Sequence, residues 1–328
     1  MQDGSIPGFQ RSLLQWFEGE RRDLPWRRTR DPYRIWVSEI MLQQTRVAAV
    51  LDHYAQFFQS FPTLEALACA SESSVLTAWS GLGYYRRARM MHAAAREIVQ
   101  KRDGVFPADS QSLLTLPGIG RYTAAAIASI AFGEPVAVVD GNVERVVQRV
   151  LGKKIKPAEL WGCAEMLLSR DHPGDFNQAM MELGATICLP RDPKCLTCPV
   201  VNLCQTKGEL NFSKTPAKQK KKELWYALHC TEGAVFLVQR PRHASLMPAM
   251  WELPGLALKG KVSHRAWLTL RHSITVTDYR VHVLRTPKHD PEGRWIPKER
   301  LASIPLTGLA RKILIAAELL RPRTREPL

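Results

Sequence analysis

Four of the seven cysteines lie within one short segment, and this cluster restricts the possible folds of the chain more than any other feature. Their spacing is Cys188-x6-Cys195-x2-Cys198-x5-Cys204. In a chain that is not secreted, such a cluster indicates a metal site rather than a disulfide framework. By count alone, four thiolates suit Zn²⁺ and an iron–sulfur cluster equally. The segment is therefore predicted to fold around one of these two groups.

The charge balance of the chain is strongly basic. The 46 Lys and Arg residues outnumber the 31 Asp and Glu residues, which gives a formal net charge of +15 and an isoelectric point near 9.7. Such a surface favours polyanions, because neutralising phosphates releases condensed counterions. Self-repulsion that keeps a protein soluble would explain the same charge. The composition indicates a nucleic acid partner without establishing one.

The sequence shows no membrane or secretory segment. Its longest apolar stretches are shorter than a membrane span, and residues 1–9 are polar and contain Gly and Pro. We therefore expect a soluble monomer without a membrane partner. We expect it in the cytoplasm, associated with the nucleoid if the source is bacterial.

The first two thirds of the chain have the apolar spacing of helices. From Ile35 to Phe58, apolar residues recur at intervals of three and four until Pro62 stops the pattern. Further helices are predicted at residues 64–78, 85–101, 110–115, 121–132, 142–151, 158–168 and 176–188.

The composition changes after the cysteine cluster. Residues 214–222, KTPAKQKKK, are basic and lack large apolar side chains, which indicates an exposed linker. Strands are then predicted at residues 225–230, 234–239, 272–277 and 279–284, followed by a helix at 309–320. The predicted organisation is a mainly α domain at residues 1–210 that includes the cysteine loop, a basic linker at 211–222, and a smaller α/β domain at 223–328.

Residues 113–124, LLTLPGIGRYTA, have the pattern of two helices joined by a tight turn. Pro117 ends the first helix, and Gly118 and Gly120 allow the backbone to come close to a ligand. The second helix begins near Arg121, where free amides and the helix dipole suit a phosphate. A plain glycine-rich connection between helices has the same pattern.

Residues 136–147, VAVVDGNVERVV, place a carboxylate at the start of another helix. Asp140 precedes that helix, where Asp commonly serves as the N-cap. A carboxylate beside amide-rich turns could also face a cationic transition state. The residues alone leave both roles open.

These motifs together resemble one superfamily. LPGIGRYTA, with Asp140 eighteen residues after Tyr122, is similar to the helix-hairpin-helix DNA glycosylases. The cysteine spacing is similar to the [4Fe–4S] loop of their endonuclease III and MutY branch. The resemblance implies a helix-hairpin-helix glycosylase domain and a [4Fe–4S] cluster on the four cysteines.

Three features are similar to the MutY family of adenine glycosylases in particular. Residues 37–47, VSEIMLQQTRV, resemble the signature helix in which the Glu, here Glu39, is the general acid. Tyr122 stands where the lyase branch carries its Schiff-base Lys. Residues 251–255, WELPG, resemble the opening of a Nudix-like fold, which implies that the C-terminal domain recognises 8-oxoguanine.

The resemblance implies a reaction and a set of site residues. The chain would flip adenine out of double-stranded DNA, where it is mispaired with 8-oxoguanine or guanine, and hydrolyse its N-glycosidic bond. Glu39 would protonate adenine N7, and Asp140, kept ionised by Asn142, would stabilise or trap the sugar cation, with Tyr122 orienting these groups. The adenine pocket would comprise Trp26, Arg27, Leu42 and Glu182. DNA contacts would come from Gln44, Thr45, Tyr84, Gly118, Gly120 and Ser273.

Two further parts of the chain are candidates for DNA contact. Tyr84 and Tyr85 lie beside Arg86, Arg87 and Arg89, an aromatic and basic cluster suited to stacking and phosphate contact. A solvated basic helix end with a Tyr in the core has the same pattern. In the C-terminal domain, residues 272–274, His-Ser-Ile, align with a recognition loop that reads Phe-Ser-His in the family. Ser273 is thus expected to contact the base opposite adenine, with the preceding His as a second donor.

Other activities fit parts of the sequence. A thymine–guanine mismatch glycosylase is disfavoured by Glu39 and the C-terminal domain, and a bifunctional lyase by Tyr122. A Nudix pyrophosphatase is disfavoured because no REx₂EExG-like carboxylate array follows WELPG. A non-catalytic DNA-binding protein is the last alternative.

Overall fold

A computed structural model of the chain describes residues 5–210, 220–257, 266–274, 277–285 and 292–321. Its helices are α1 (Ile6–Glu20), α2 (Pro32–Leu42), α3 (Val47–Ser60), α4 (Leu64–Cys69), α5 (Glu72–Ala78), α6 (Arg86–Lys101), α7 (Ser110–Leu113), α8 (Arg121–Phe132), α9 (Gly141–Val150), α10 (Pro157–Leu167), α11 (Pro173–Thr186) and α12 (Gly308–Ala316). Its strands are β1 (Lys220–Leu228), β2 (Ala234–Gln239), β3 (Trp251–Glu252), β4 (Leu268–Ile274), β5 (Thr277–Arg285) and β6 (Gly293–Pro297). None of these helices is long and apolar enough to cross a membrane.

The chain divides into two compact units. The first comprises Met1–Tyr54, Thr63–Ala68 and Ala93–Ser213, and the second comprises Ala55–Pro62, Cys69–His92 and Lys214–Leu328. This division differs from the predicted one, because residues 55–62 and 69–92 group with the C-terminal part of the chain. Each unit is made of separate stretches of the chain, so a change of composition along the sequence does not mark the boundary between the units.

The core of the first unit contains α1, α9, α10 and α11. Phe9, Leu13 and Phe17 recur every fourth residue along α1 and are buried among apolar residues of the other three helices. The Phe9 ring packs edge-on against Phe176 of α11, with 6.2 Å between ring centroids. This helix was missed in the sequence, although its apolar spacing and the Pro at its start are helix signals.

A second helix pair, α2 and α8, carries the site. The two helices pack against each other, and each buries most of its residues. The carboxylate of Asp31 caps α2 by accepting a hydrogen bond from the Tyr33 backbone N–H, and Pro32 occupies the first helical turn. The α8 helix has the predicted bounds and ends at Gly133, whose φ of 74° suits a glycine C-cap.

The single helix predicted from Ile35 to Phe58 is wrong. The α2 helix ends at Leu42 and α3 begins at Val47, with Gln44 in the left-handed region at a φ of 55°. The apolar spacing continues across this turn, and no Gly or Pro marks it, so the pattern conceals the break. The segment at 64–78 is also two helices, because Ser71 caps α5 by accepting from the Ser74 backbone N–H.

The second unit contains two three-stranded sheets. One has the order β1-β5-β4, with β1 parallel and β4 antiparallel to β5, and the other has the antiparallel order β3-β2-β6. Buried residues of these strands and of α12 form its core, including Val235, Leu237, Val281, Val283 and Ile313.

The linker prediction is wrong at its end, and the rest of it, residues 211–219, lies outside the described residues. Lys220–Lys222 begin β1, where they pair with Thr277–Tyr279 of β5. Their side chains are exposed while their backbone groups pair in the sheet. Composition reports the side chains only, so a run of lysines on an outer strand has the appearance of a linker.

Candidate active site

One open cleft in the first unit collects most of the predicted site residues. It is bounded by α2, α8, the start of α9, and α11, and it measures about 1390 Å³ including its open mouth. Its lining includes Arg22, Trp26, Arg27, Glu39, Leu42, Gln44, Thr45, Tyr122, Asp140, Asn142, Gln178, Met181 and Glu182.

Glu39 is the buried carboxyl group of this cleft. It lies in the middle of α2 with 5% of its surface exposed, and its Oε2 accepts a hydrogen bond of 2.5 Å from the Tyr122 hydroxyl. Burial raises the pKa of Glu39 to about 7, because desolvation of the charged form outweighs the opposing hydrogen bond from Tyr122. The charge of Asp140 also raises this pKa, and Arg27 lowers it. Such a carboxyl group can donate a proton near neutral pH.

Tyr122 lies in the first turn of α8 and faces Glu39 across the α2–α8 contact. Burial, together with the negative charges of Glu39 and Asp140, raises the pKa of Tyr122 well above its usual value. The hydroxyl therefore keeps its proton and acts as a donor. Its oxygen also lies 3.4 Å from the Met181 sulfur, which limits its movement on the other side.

Asp140 combines the two roles that the sequence left open. Its Oδ1 accepts hydrogen bonds from the backbone N–H groups of Asn142 (2.9 Å) and Val143 (2.7 Å), so it is the N-cap of α9. Its Oδ2 accepts from the Asn142 side-chain amide at 3.0 Å. The same carboxylate lines the cleft with Glu39. Three donors thus hold this carboxylate in one orientation, and the Asn142 side chain supplies one of them.

Arg145 orients Asn142 and was missed in the sequence. Its Nη2 donates to the Asn142 Oδ1 at 2.9 Å and to the Gly184 carbonyl at 2.7 Å, and its Nε donates to the Cys188 carbonyl at 2.8 Å. Because the Asn142 oxygen faces Arg145, its amide nitrogen is turned toward Asp140. The signal was the i, i+3 spacing of these two residues on a helix.

Glu182 is enclosed in a network of arginines. Its carboxylate is 1% exposed and accepts from Arg22 Nε (2.7 Å), Arg22 Nη2 (2.6 Å) and Arg27 Nη2 (2.8 Å). Burial alone would raise the pKa of Glu182, but the hydrogen bonds from Arg22 and Arg27 prevail and hold it at about 2. Arg22 was not predicted, although it lies in RRDLPWR beside Trp26 and Arg27.

The remaining walls are apolar or uncharged. Trp26 is buried and packs edge-on against Tyr54, with 5.3 Å between ring centroids. Leu42, the last residue of α2, also lines the cleft. Gln178 and Met181 of α11 also line the cleft and were not predicted. Gln178 lies one helical turn before Glu182, and Met181 lies one turn after Gln178.

The turn after α2 presents two predicted DNA contacts at the cleft. Gln44 is exposed, and Thr45 donates through its hydroxyl to the Gln43 carbonyl at 3.2 Å. The Gln43 side chain donates to the Thr123 hydroxyl at 3.3 Å, which fixes the turn against α8. The hydrogen bond between Gln43 and Thr123 thus anchors the turn to α8, and the Gln44 side chain is exposed.

The glycine turn before α8 has the predicted form. Gly118 has a φ of 76°, which a residue with a side chain adopts at a cost. Gly120 is the N-cap of α8, and a Cβ added there would meet nothing within 4 Å. The backbone at Gly120 is therefore not covered by other atoms on the side where a side chain would lie.

Tyr84 belongs to the second unit and was predicted to lie beside a basic cluster. It is 45% exposed at a φ of 46°. The three arginines that follow it differ in their surroundings, and their contact with phosphates stays a prediction. Arg87 packs over the Trp79 ring and donates to main-chain carbonyls, and Arg89 pairs with Glu72, so Arg86 is the exposed member.

The four predicted metal ligands line one cavity in the first unit. Cys188, Cys195, Cys198 and Cys204 surround it together with Arg149. In residues 5–210 and the other described ranges, no group of three or more His, Cys, Asp or Glu residues is arranged to hold a metal ion. The fit of the four sulfurs to a metal group therefore rests on the shared cavity and on the Arg149 guanidinium, which lies 3.3 Å from the Cys188 sulfur.

The C-terminal recognition residues lie on a strand rather than on a loop. Ser273 is the second-last residue of β4; it is exposed, and its hydroxyl donates to Asp278 of β5. His272 points to the opposite face, because side chains alternate along a strand. Burial, aided by the charge of Lys312, lowers the pKa of His272. The prediction that His272 is a second donor beside Ser273 is therefore wrong.

Comparisons with known proteins give the family. Residues 37–160 match the HhH-GPD superfamily of base excision DNA repair proteins. The adenine DNA glycosylase of Rattus norvegicus is 38% identical over 328 aligned positions, which cover 80% of this chain and 63% of the relative. That of Buchnera aphidicola subsp. Baizongia pistaciae is 36% identical over 243 positions, which cover 71% of this chain and 69% of the relative.

A solved structure of a thermostable thymine-DNA glycosylase is similar to the helical part. It has a TM-score of 0.59 and 34% identity, and the match covers 62% of this chain and 97% of that one. The chain spans about three fifths of the rat relative and more than two thirds of the Buchnera relative. With a matching superfamily domain and adenine glycosylases similar over most of its length, the chain belongs to the adenine DNA glycosylase family of the HhH-GPD superfamily.

Proposed function

We propose that the chain is a monofunctional adenine DNA glycosylase that hydrolyses the N-glycosidic bond of adenine mispaired with 8-oxoguanine or guanine. The observation that carries the proposal is the pairing of buried Glu39 with Tyr122 in the cleft that also contains Asp140. The reaction requires an acid for the leaving base and a negative charge for the sugar. Two carboxylates in unlike environments can divide these tasks.

Glu39 is proposed as the general acid. Adenine is a poor leaving group as an anion, so the N9–C1′ bond breaks faster once N7 is protonated. Glu39 transfers its proton to N7, and the bonding electrons leave with the neutral base. The support for this role is its raised pKa, which keeps about half of the groups protonated at pH 7. Tyr122 holds the carboxyl group in one orientation.

Asp140 is proposed to stabilise the sugar. Loss of the base leaves positive charge on C1′ and the ring oxygen, and an ionised carboxylate beside it lowers the energy of that state or traps it covalently. Water then adds its hydroxyl group to C1′ and gives its other proton to the Glu39 carboxylate, which restores the acid; in the covalent route the bond between C1′ and the Asp140 oxygen breaks in this step. The three donors to Asp140 support this role, because they fix the carboxylate in place before the charge develops.

Adenine is proposed to bind between Trp26, Arg27, Leu42 and Glu182. A flipped base needs an apolar surface for its faces and a few polar groups at its edge. Trp26 and Leu42 offer the apolar surface. The carboxylate of Glu182 and the guanidinium of Arg27, which form an ion pair, offer the polar groups.

Contacts with the duplex are proposed for the turns that surround the cleft and for one residue of the second unit. Gln44 and Thr45 of the first unit, and separately Tyr84 of the second, would each contact the duplex. Support comes from the exposure of Gln44 and Tyr84, each on a left-handed backbone that raises the side chain from its turn. Gly118 and Gly120 would allow a phosphate to reach the amides of α8.

The cysteine cavity is proposed to hold a [4Fe–4S] cluster on Cys188, Cys195, Cys198 and Cys204. Thiolate ligands carry negative charge, and the buried guanidinium of Arg149 beside them is the matching cation. A bound cluster would cross-link the segment that follows α11 and contribute to its folding. The reaction at adenine is proposed to proceed through side chains of the cleft alone.

The second unit is proposed to be a Nudix-like domain that recognises 8-oxoguanine. The cleft meets the same adenine in a normal pair and in a mispair, so discrimination must come from the other strand. WELPG forms β3 and the turn after it, with the Pro254 carbonyl bound to the Ala227 N–H. Ser273, exposed near the end of β4, is the proposed contact with the opposite base.

The test is an excision assay on labelled duplexes that contain A·8-oxoguanine, A·G, A·T or T·G, followed by hot alkali to cut abasic sites. We expect cleavage of the first two substrates. Glu39→Gln and Asp140→Asn should bind the duplex and release almost no base, because each loses several kcal/mol of transition-state stabilisation. Glu18→Gln is the matched control, since Glu18 is exposed on α1.

The same assay separates the alternatives. Cleavage of T·G without A·8-oxoguanine would assign the chain to thymine excision, and binding without cleavage would make it a non-catalytic DNA-binding protein. Excision by Glu39→Gln at the rate of Glu18→Gln would remove the assigned acid.

A further inference from the structure

Arg149 is a buried cation beside the cysteine cavity that the proposed reaction does not use. It is the second-last residue of α9 and is 3% exposed. Its Nη1 donates to the Cys188 Sγ at 3.3 Å and to the Leu189 carbonyl at 2.6 Å, and its Nη2 donates to the Pro190 carbonyl at 3.1 Å. The side chain thus holds the start of the cysteine segment.

The backbone of the same residue holds the end of that segment. The Arg149 carbonyl accepts from the Thr206 N–H at 3.2 Å and from the Thr206 hydroxyl at 2.7 Å. The neighbouring Val150 carbonyl accepts from the Gln205 N–H at 3.0 Å. These are carbonyls of the last turn of α9, which lack partners within their helix. The Arg149 side chain therefore contacts the first residues of the four-cysteine segment, and its backbone carbonyl binds Thr206 just after the segment.

The charge of Arg149 requires an anion. No carboxylate lies within ion-pair distance of it in the described part of the chain, and a buried cation without a counter-charge is strongly unfavourable. The Arg149 Nη1 lies 3.3 Å from the Cys188 sulfur, so the guanidinium is directed at one of the four proposed cluster ligands. An anionic group held by the four cysteines would lie beside this guanidinium and would compensate its charge.

We propose that Arg149 is the internal counter-ion of the iron–sulfur cluster, and that it retains the cluster by donating to the Cys188 sulfur while it holds both ends of the loop. The inference rests on the [4Fe–4S] assignment made under Proposed function. Arg149 is a positioning residue, since it would touch a ligand and not the iron. Its guanidinium suits this task, because its fixed fork serves one sulfur and two carbonyls at once.

The test compares three variants purified without oxygen: Arg149→Met, Arg149→Lys and Arg191→Met. The last is the matched control, because Arg191 carries the same charge in the same segment but is exposed. Iron and sulfide are measured first, and an iron chelator is then added while the absorbance near about 400 nm is followed. We expect Arg149→Met to lose its cluster about tenfold faster or more, as for other groups that hydrogen-bond to metal ligands. Arg149→Lys should be intermediate, and Arg191→Met should match the wild type.

Resonance Raman spectra add a readout that a purely structural role would not change. Loss of the hydrogen bond to the Cys188 sulfur should shift an iron–thiolate stretching band in Arg149→Lys, which keeps the charge and loses the fork. Arg149→Lys also tests the hydrogen bond to the sulfur if Arg149→Met does not fold. The hydrogen-bonding part of the proposal is overturned if Arg149→Lys equals the wild type in both retention and spectrum. The whole proposal is overturned if Arg149→Met retains its cluster as long as the wild type does, or if Arg191→Met loses its cluster as fast as Arg149→Met. Wild-type protein with zinc and no iron would instead overturn the cluster assignment on which the proposal depends.

Discussion

The state of Glu39 leads to a prediction about the pH dependence of adenine excision. The general acid must carry its proton, and burial raises the pKa of Glu39 from 4.5 to about 7. At pH 7 about half of such groups are protonated, against about 0.3% for a group with the usual pKa. The buried site thus holds on the order of 150 times more of the active form. We expect excision to be nearly constant below pH 7 and to fall about tenfold per pH unit well above it.

The raised pKa of Glu39 also changes the free energy of unfolding with pH. A carboxyl group whose pKa is raised on folding favours the folded state below pH 4.5 and loses that contribution as the pH rises through 7. A shift of about 2.5 units corresponds to about 3 kcal/mol. Glu39→Gln carries no charge and can still accept from Tyr122. It should therefore be more stable than the wild type by up to about 3 kcal/mol at pH 8 and no more stable at pH 4.5.

Two measurements check this reasoning. Single-turnover excision from an A·8-oxoguanine duplex is recorded from pH 6 to 9, and urea unfolding of the wild type and Glu39→Gln is compared at pH 4.5 and 8. In Tyr122→Phe, the loss of the hydrogen bond that lowers the pKa of Glu39 should move the fall in rate to higher pH. The charged neighbours Asp140 and Arg27 are unchanged in both variants.

Glu18→Gln serves as the control for unfolding, because it removes an exposed carboxylate and should show little pH-dependent gain. A wild-type rate that does not change between pH 6 and 9 would refute Glu39 as the acid. A stability difference between Glu39→Gln and the wild type that is equal at both pH values would refute the buried titration.

Three further predictions concern other parts of the molecule. Asp140→Ala should unfold about 1 kcal/mol more easily than Asp140→Asn in urea, because Asn retains the N-cap; equal stabilities would contradict that role. With Tyr122 at the lyase position, the product should be an abasic site in an intact strand, so borohydride should trap almost no protein–DNA adduct, and efficient trapping would reveal an amine nucleophile. Ser273→Ala should slow excision opposite 8-oxoguanine by up to about tenfold relative to guanine, whereas His272→Ala should leave that ratio unchanged; an equal loss in both variants would contradict the strand register.

The sequence predicted which candidate residues lie in one cleft better than it predicted the side chains that surround them. Glu39, Tyr122 and Asp140 were found from motifs, and the structure brings the three together in one cleft. The arginine partners of Glu182 and of Asn142 were not foreseen, because a motif identifies positions along the chain but does not report which side chains from distant segments meet. Arg22 and Glu182 are 160 residues apart.

Strand register explains the clearest error. His272 and Ser273 are neighbours in the sequence, and a loop would have allowed both to face the same base. Pairing of β4 with β5 places them on opposite faces, and only the pairing partner determines which face each occupies. The monomeric state, the location in the cell and the preference for 8-oxoguanine stay predictions.

The position of Asp140 at the start of α9 has a consequence for the evolution of this chain. The carboxylate proposed to act on the sugar also caps the helix, so most replacements would harm folding and activity together. A lineage that abandoned adenine excision but kept the protein as a DNA-binding scaffold would face selection for a good cap at this position. Asn and Ser are the replacements that meet this requirement. Inactive descendants of this chain should therefore retain a small polar residue at position 140, and their inactivity would be hidden from any inspection of the fold.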